Sequence, residues 1–396
     1  MTDQLSEDEP IIISATSQVP LAIYVHVPWC VRKCPYCDFN SHVAPEKGAP
    51  FADYAAALLA DLEYELGSRP PEAVPQTLFF GGGTPSLMPP DVVAGLIGRI
   101  RELSGLAGDA EITLEANPGT VERGRFADYA AAGVNRVSLG AQSFDDELLR
   151  RIGRIHSAGE TLRAVDELAA SGIENYNLDL MYGLPGQDEE GALADLEQAI
   201  ACGPAHVSWY ELTLEPGTAF YRHPPRLPGE GALAGMEASG QARLEAAGYR
   251  RYEVSAYARE GARCRHNLTY WTYGDYIGIG PGAHGKRTVR DSIRRTERVR
   301  SPARWLRLAG QAEACQEREI MDNERVFEYL LGALRLTGGF AWSDFERCTG
   351  LGRAHLEPRL AEAMADGLLE STARGVRPTA RGMRYLNELQ GRFLPA

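Results

Sequence analysis

The sequence predicts an α/β fold, with an incomplete (β/α)6-type barrel over residues 21–250 and an α+β domain of winged-helix type over residues 321–396. Three observations predict it. Apolar, β-branched runs alternate with longer segments of helical periodicity, and strand-then-helix repetition gives a parallel sheet with right-handed crossovers. Glycine-rich or polar residues close these runs in the same place, at the strand ends where α/β barrels build their sites. Cys30, Cys34 and Cys37 stand in one loop directly after the first run.

The first strand is expected at 22–27 (Ala-Ile-Tyr-Val-His-Val), and the others at 77–80, 111–115, 135–139, 176–181 and 206–212. Helices are expected between them at 51–66, 90–103, 123–132, 158–171 and 189–202. Gly81-Gly-Gly-Thr-Pro85 follows the second strand and Glu115-Ala-Asn-Pro-Gly119 ends the third. Gly140-Ala-Gln142 ends the fourth, and Asp179 with Tyr182-Gly-Leu-Pro185 ends the fifth. A helix at 229–247 leads into residues 251–320, read as a connecting region that holds His266-Asn-Leu-Thr-Tyr-Trp271 and a basic stretch. Helices at 322–336, 342–348 and 354–366, strands at 368–370 and 376–378, and a last helix at 379–389 make the winged-helix-like domain. It lacks a basic recognition helix and is read as a packing or partner-binding unit. Residues 1–20 are read as a flexible N-terminal segment.

The chain of 396 residues suits two or three domains, and 44% hydrophobic with 24% charged residues is ordinary for a globular protein. No apolar run approaches the ~20 residues that span a bilayer, and the acidic N-terminus has no secretory pattern. Seven cysteines, three of them in one loop, fit a reducing compartment, so a cytoplasmic location is expected. A net charge of −13 argues against nucleic acid as a partner. From Lys286 to Arg307, however, nine Lys or Arg face two acids. This stretch is either a solvated arm or a seat for an anionic partner, such as ligand carboxylates or the lipid heads of a membrane surface.

The loop spacing is Cys-x3-Cys-x2-Cys. Three thiolates so close together can wrap one metal centre and leave one coordination position open. Ferredoxin and zinc-finger spacings do not match, and Cys202, Cys264, Cys315 and Cys348 are solitary. Gly81-Gly-Gly-Thr84 lets a backbone approach a ligand closely, although a plain tight turn would read the same; it is neither a Rossmann fingerprint nor a P-loop. Glu115 and Asp179 are acids at strand ends in apolar surroundings, so each is held by a structural partner or aimed at a ligand. His266 among aromatics is either an axial ligand beside a flat macrocycle or, more commonly, a core histidine capping an aromatic cluster.

With Tyr36 before its third cysteine, the loop resembles that of the radical S-adenosylmethionine (SAM) superfamily, and the fold then reads as an incomplete radical SAM barrel. The resemblance implies a [4Fe–4S] cluster on Cys30, Cys34 and Cys37, with the amino and carboxylate groups of SAM completing the fourth iron. It implies SAM contacts at Tyr24, Tyr36, Gly82, Gly83, Thr84, Glu115, Gln142, Arg154 and Asp179, with Arg154 on the carboxylate and Asp179 on the ribose hydroxyls. Cys34-Pro-Tyr-Cys-Asp-Phe-Asn-Ser-His42, Asn177-Leu-Asp-Leu-Met181 and His266-Asn-Leu-Thr-Tyr-Trp271 resemble the haem-chaperone branch of that superfamily over nearly the whole chain. That implies a chaperone, monomeric or homodimeric, that binds haem through His266, with His284 the next candidate, and delivers it to haem-accepting respiratory proteins. The alternative resemblance is to the oxygen-independent coproporphyrinogen III oxidases, which carry a further cysteine where this chain has Phe39. The chain also departs from the chaperone branch at Pro281, where a small residue is usual.

Overall fold

The computed structural model describes residues 19–68, 72–119, 125–289, 292–357 and 359–395; the segment expected at 1–20 lies almost wholly outside them. Six strands run parallel in chain order: β1 (Leu21–Val27), β2 (Pro75–Gly82), β3 (Glu111–Ala116), β4 (Arg136–Gln142), β5 (Asn175–Tyr182) and β6 (His206–Glu211). β1 is buried along nearly its whole length and β4 along all of it, as strands covered on both faces must be. The crossover helices are α1 (Phe51–Ser68), α2 (Pro90–Ser104), α3 (Phe126–Ala131), α4 (Ala158–Ser171) and α5 (Glu189–Cys202). Local sequence sets their ends. The Ser157 hydroxyl accepts from the Glu160 amide while the Glu160 carboxylate accepts from the Ser157 amide, so α4 starts on a capping box. It stops at Gly172, whose φ of 83° is left-handed. The helix expected at 123–132 is shorter than predicted, and its first two positions fall outside the described residues.

The expectation for residues 251–320 is corrected: this stretch is sheet rather than connector. β7 (Asp275–Ile279) lies parallel to β1 on the side opposite β2, pairing Leu21 with Asp275 through Val25 with Ile279. β8 (His284–Val289), β9 (Ser292–Arg298) and β10 (Cys315–Glu319) continue from it antiparallel. At the other edge Ala256–Ala258 pairs antiparallel with β6, and Arg250–Arg251 closes an open twelve-stranded mixed sheet.

The solvated-arm reading of the basic stretch holds only for part of it. Lys286 is buried with its Nζ 2.9 Å from the Asp275 carboxylate, and Arg295 is 2.9 Å from Glu328. Arg298 is wholly buried and reaches Asp61 and Glu65 of α1, each at 2.9 Å. Arg294, Arg300, Arg304 and Arg307 stay exposed. A buried strand can carry these charges because their partners arrive from elements far away in sequence.

The C-terminal domain has its own core, built on Tyr329, Leu330, Phe340, Phe345 and Val376. Its ribbon gains a third strand: Phe340–Ala341 and Leu369–Ser371 flank Gly375–Pro378, all antiparallel. The helix expected at 379–389 breaks at Tyr385 into Ala380–Arg384 and Leu386–Gly391. Among the described residues, no helix is long and apolar enough to cross a membrane.

Candidate metal and cofactor site

β1 delivers the chain to the carboxyl rim of the sheet, where the cysteine loop leaves and returns. Trp29–Cys30 pairs in parallel with His42–Val43, the His42 amide donates to the Pro28 carbonyl at 2.7 Å, and the Ala44 amide to the Cys30 carbonyl at 2.9 Å. The exposed Lys33 ties the two arms of the loop, its Nζ donating to the carbonyls of Phe39 at 3.0 Å and Ser41 at 3.1 Å. The loop is thus shaped by its own backbone, which leaves all three thiols free and half-buried. Burial pushes the Cys30 and Cys37 thiols up, a cost that metal ligation removes by holding them as thiolates. Among the described residues, no three His, Cys, Asp or Glu side chains converge on a single-ion point.

Beside the loop, the end of β2 forms a cradle. Gly82 has a φ of 115°, and a Cβ there would lie 2.6 Å from the His26 ring; a Cβ on Gly83 would lie 2.6 Å from the Trp29 carbonyl oxygen. Only glycine lets this turn press against the root of the cysteine loop. The Gly83 amide donates to Val27 O at 2.6 Å and the Thr84 amide to Trp29 O at 2.8 Å. The Gly82 amide donates to the Glu115 carboxylate at 3.0 Å.

Arg154 stands opposite. Its Nη2 donates to Asn117 Oδ1 at 2.6 Å and to the Gly140 carbonyl at 2.7 Å, and its Nη1 is 3.9 Å from Cys34 Sγ. Its Nε is buried with no partner among the described residues. A buried guanidinium with a spare donor next to three thiols fits an anionic group such as a carboxylate. Gly153, just before it, has a φ of 76°, and a Cβ there would strike the Pro35 ring at 2.6 Å, so the arginine's approach is fixed by packing under the loop. Tyr36 packs on the cluster of Leu148, Ile152, Met181 and Leu212, and burial raises its hydroxyl pKa.

The acids complete the mouth. Burial, and then the charge of Asp179, push the Glu115 carboxyl up to about 7 despite the Gly82 hydrogen bond. Burial raises Asp179 too, opposed by the Ser138 hydroxyl at 2.9 Å and the Asn177 amide at 2.8 Å. Two acids that disfavour each other's charge in a buried mouth form a natural counter-site for a cation. Gln142 adopts a φ of 68°, a left-handed backbone rare for a residue with a side chain, at an irregularity in the β4–β5 register. Its Oε1 accepts from the Tyr210 hydroxyl at 2.9 Å. Such strain is often found at functional sites.

The rim thus brings together Cys30, Cys34, Cys37, Tyr36, Gly82, Gly83, Thr84, Glu115, Gln142, Arg154 and Asp179. Tyr24 is turned toward the β7 side, its hydroxyl 3.0 Å from His26 Nδ1. Sequence reasoning did not single out Asn117, which donates to the Thr84 hydroxyl at 2.9 Å while accepting from Arg154. The signal was present, since Asn117 lies inside the Glu115–Gly119 motif. Nor did it single out Tyr210 or the buried Arg136, a lone cation in an apolar strand.

His266 lies in the core. Its Nδ1 meets the Thr77 hydroxyl at 2.8 Å, its Nε2 meets the Tyr270 hydroxyl at 2.9 Å, and its ring stacks on Phe79 with centroids 4.8 Å apart. Burial drives its pKa down to about 3, so it is neutral. As placed, neither ring nitrogen is free for a metal. Tyr270 carries the network to a cavity of about 420 Å³ between β1, β7, β8 and the helix Asp322–Ala333; Tyr24, Trp271, Tyr273, Tyr276 and His284 are among its lining.

Residues 24–199 match the radical SAM superfamily and residues 320–385 the HemN C-terminal domain. The chain is 47% identical to heme chaperone HemW of Escherichia coli (strain K12) over 376 residues, covering 95% of this chain and 98% of that one. It is 44% identical to heme chaperone HemW of Haemophilus influenzae over 380 residues, covering 95% and 98%. It is 36% identical to the mitochondrial radical S-adenosyl methionine domain-containing protein 1 of Bos taurus, covering 93% and 86%. Among solved structures, coproporphyrinogen III oxidase (HemN) from Escherichia coli superposes with a TM-score of 0.77 at 22% identity, covering 96% of this chain and 91% of that one, a likeness of fold. With a three-thiol loop and a glycine cradle at one rim of the sheet, and with relatives that match 95% of its length, the chain belongs to the HemW heme-chaperone family of the radical SAM superfamily.

Proposed function

We propose that the protein is a haem chaperone that holds a [4Fe–4S] cluster and SAM at the barrel rim, binds haem, and passes it to haem proteins of the respiratory chain. One observation carries the cofactor part. The rim keeps a cation, Arg154, with a spare buried donor and a pair of mutually repelling acids, Glu115 and Asp179, around thiols that burial disfavours. Every one of these groups gains from a zwitterionic, cationic ligand on a metal. Cys30, Cys34 and Cys37 would hold the cluster, Arg154 the SAM carboxylate, and Gly82, Gly83 and Thr84 its amino group. Glu115, Gln142, Tyr36 and Asp179 would face the rest of SAM, and Asp179 its ribose. Bound there, the pair supplies one-electron chemistry.

The chain's own residues have defined tasks. The Gly82 amide fixes Glu115, which keeps a proton up to about pH 7 in the ligand-free rim and gives it up when a sulfonium cation arrives. Arg154 orients Asn117, which in turn orients Thr84. Tyr210, buried beside Asp179, holds Gln142 through its hydroxyl at 2.9 Å. Haem as cargo, rather than a porphyrinogen substrate, is supported by the family relation and by Phe39, which is 58% exposed where the oxidase resemblance calls for a cysteine. The working compartment is the reducing cytoplasm, and the exposed Arg300, Arg304 and Arg307 give the surface a means of peripheral contact with anionic lipid.

The test pairs two anaerobic assays on reconstituted protein. In one, haem uptake and transfer to an apo-haem protein are followed by absorbance; in the other, coproporphyrinogen III is supplied with SAM and a reductant. Haem uptake and transfer without decarboxylation are expected. Turnover to protoporphyrinogen IX would replace the chaperone with the oxidase.

A further inference from the structure

We propose that the aromatic cavity on the β7 side of the rim is the haem seat and that His284 ligates the iron. This rests on the haem reading above and goes further by naming the seat and the ligand. At about 420 Å³ the cavity falls within the range of small-molecule sites and accepts much of a tetrapyrrole, with the remainder reaching the open side where Leu331 is exposed. Its wall offers the rings of Tyr24, Tyr270, Trp271, Tyr273 and Tyr276, the flat apolar lining a macrocycle needs.

The accounting of ring nitrogens selects the ligand. His26 lines the cavity, but its Nδ1 is taken by the Tyr24 hydroxyl and its Nε2 by the Asn40 carbonyl, both at 3.0 Å. His266 stands behind the wall with both nitrogens engaged and its ring buried. His284 lies on the wall, at the start of β8, and neither of its ring nitrogens has a hydrogen-bond partner among the described residues. It alone of the three offers an unengaged imidazole.

A second, independent observation points to a polar ligand. The wall also carries charge, which suits the carboxylates at the edge of a tetrapyrrole. Arg295 adds a cation there, held by Glu328 at 2.9 Å and by the Tyr276 hydroxyl. His26 and Tyr24 form the partition between this cavity and the Gly82 cradle, so cargo and cofactor would sit on opposite faces of one wall.

The test is a haem titration of the full chain, read by the Soret band and by competition with an apo-haem acceptor. His284→Ala is expected to move the Soret maximum and weaken haem at least tenfold, and added imidazole to restore the wild-type spectrum, a rescue that a misfolded variant would not show. Leu331→Trp, which crowds the open side, is expected to weaken haem without moving the band. An unchanged spectrum and affinity in His284→Ala overturns the assignment, as does loss of the imidazole-type spectrum only in His266→Ala. Wild-type protein that takes up no haem would overturn the chaperone reading itself, a result distinct from either variant outcome.

Discussion

Two buried arginines carry the contrast on which the reading of this molecule rests. Arg298, on β9, is satisfied within the fold: its guanidinium meets Asp61 and Glu65, and Asp61 also accepts from Trp305 Nε1 at 3.3 Å and from the Gly280 amide at 3.2 Å. Arg154, at the rim, is only partly satisfied. Among the described residues it has two backbone or amide acceptors, a thiol at the edge of reach, no carboxylate, and a spare Nε. A buried charge costs several kcal/mol unless it is paired, so an unpaired one persists where a ligand supplies the pair. The basic stretch, conspicuous in sequence, is structural in its buried part, and the less conspicuous arginine is the one left with a spare donor.

The largest expected effect belongs to the satisfied site. Arg298→Met strands Asp61 and Glu65 in the core and should cost about 3–5 kcal/mol of stability, read as a drop in the denaturation midpoint. A loss below about 1 kcal/mol would mean that these acids are protonated or solvated in the native protein.

At the rim, Glu115 works in the opposite direction. Its folded pKa of about 7 lies above the free value of 4.5, so the native chain keeps a proton that the unfolded chain releases. Stability should fall as pH rises from 4.5 to about 7 and level off above, by an amount on the order of 3 kcal/mol. Glu115→Gln should remove the Glu115 share of that decline and leave the part due to Asp179, and it should be more stable than wild type at pH 8, as urea midpoints at pH 5 and pH 8 will show. SAM binding, by recruiting the ionised form, should release a proton at pH 6.

Arg154→Ala should weaken SAM binding by roughly 1.5–3 kcal/mol through loss of a charge-assisted contact, measured by calorimetry. Equal affinity in the two proteins would remove Arg154 from the site. The smallest effect is expected at Arg294→Ala. Its pair with Glu317 at 3.0 Å is on the surface, and its loss should cost no more than about 0.5 kcal/mol.

These magnitudes also mark what the sequence could reveal. The barrel strands were legible as apolar runs between helical stretches, and the glycines and acids that close the second to fifth, with the cysteine loop after the first, placed the thiols, Gly82, Glu115 and Asp179 at one rim. β7 was not. Asp275-Tyr-Ile-Gly-Ile is short and its Gly278 reads as part of a turn, whereas in the fold that glycine lets His284 O pass where a Cβ would lie 1.9 Å away. β8 and β9 were hidden by their own charges, because the partners of Arg298 stand in α1, more than two hundred residues earlier, where no local pattern reaches. His266 illustrates the converse. Its motif is conspicuous, yet its nitrogens are spent on Thr77 and Tyr270, which only the tertiary fold brings to it.

The most direct measurement is iron and sulfide content with electron paramagnetic resonance of the reduced, anaerobically reconstituted chain, before and after SAM. About four irons per chain are expected, the number such a cluster contains, with a signal that SAM perturbs. The cluster should be lost in Cys34→Ala and kept in Cys202→Ala. A full, SAM-responsive cluster in the Cys34→Ala protein would contradict the assignment of the open loop as the metal site.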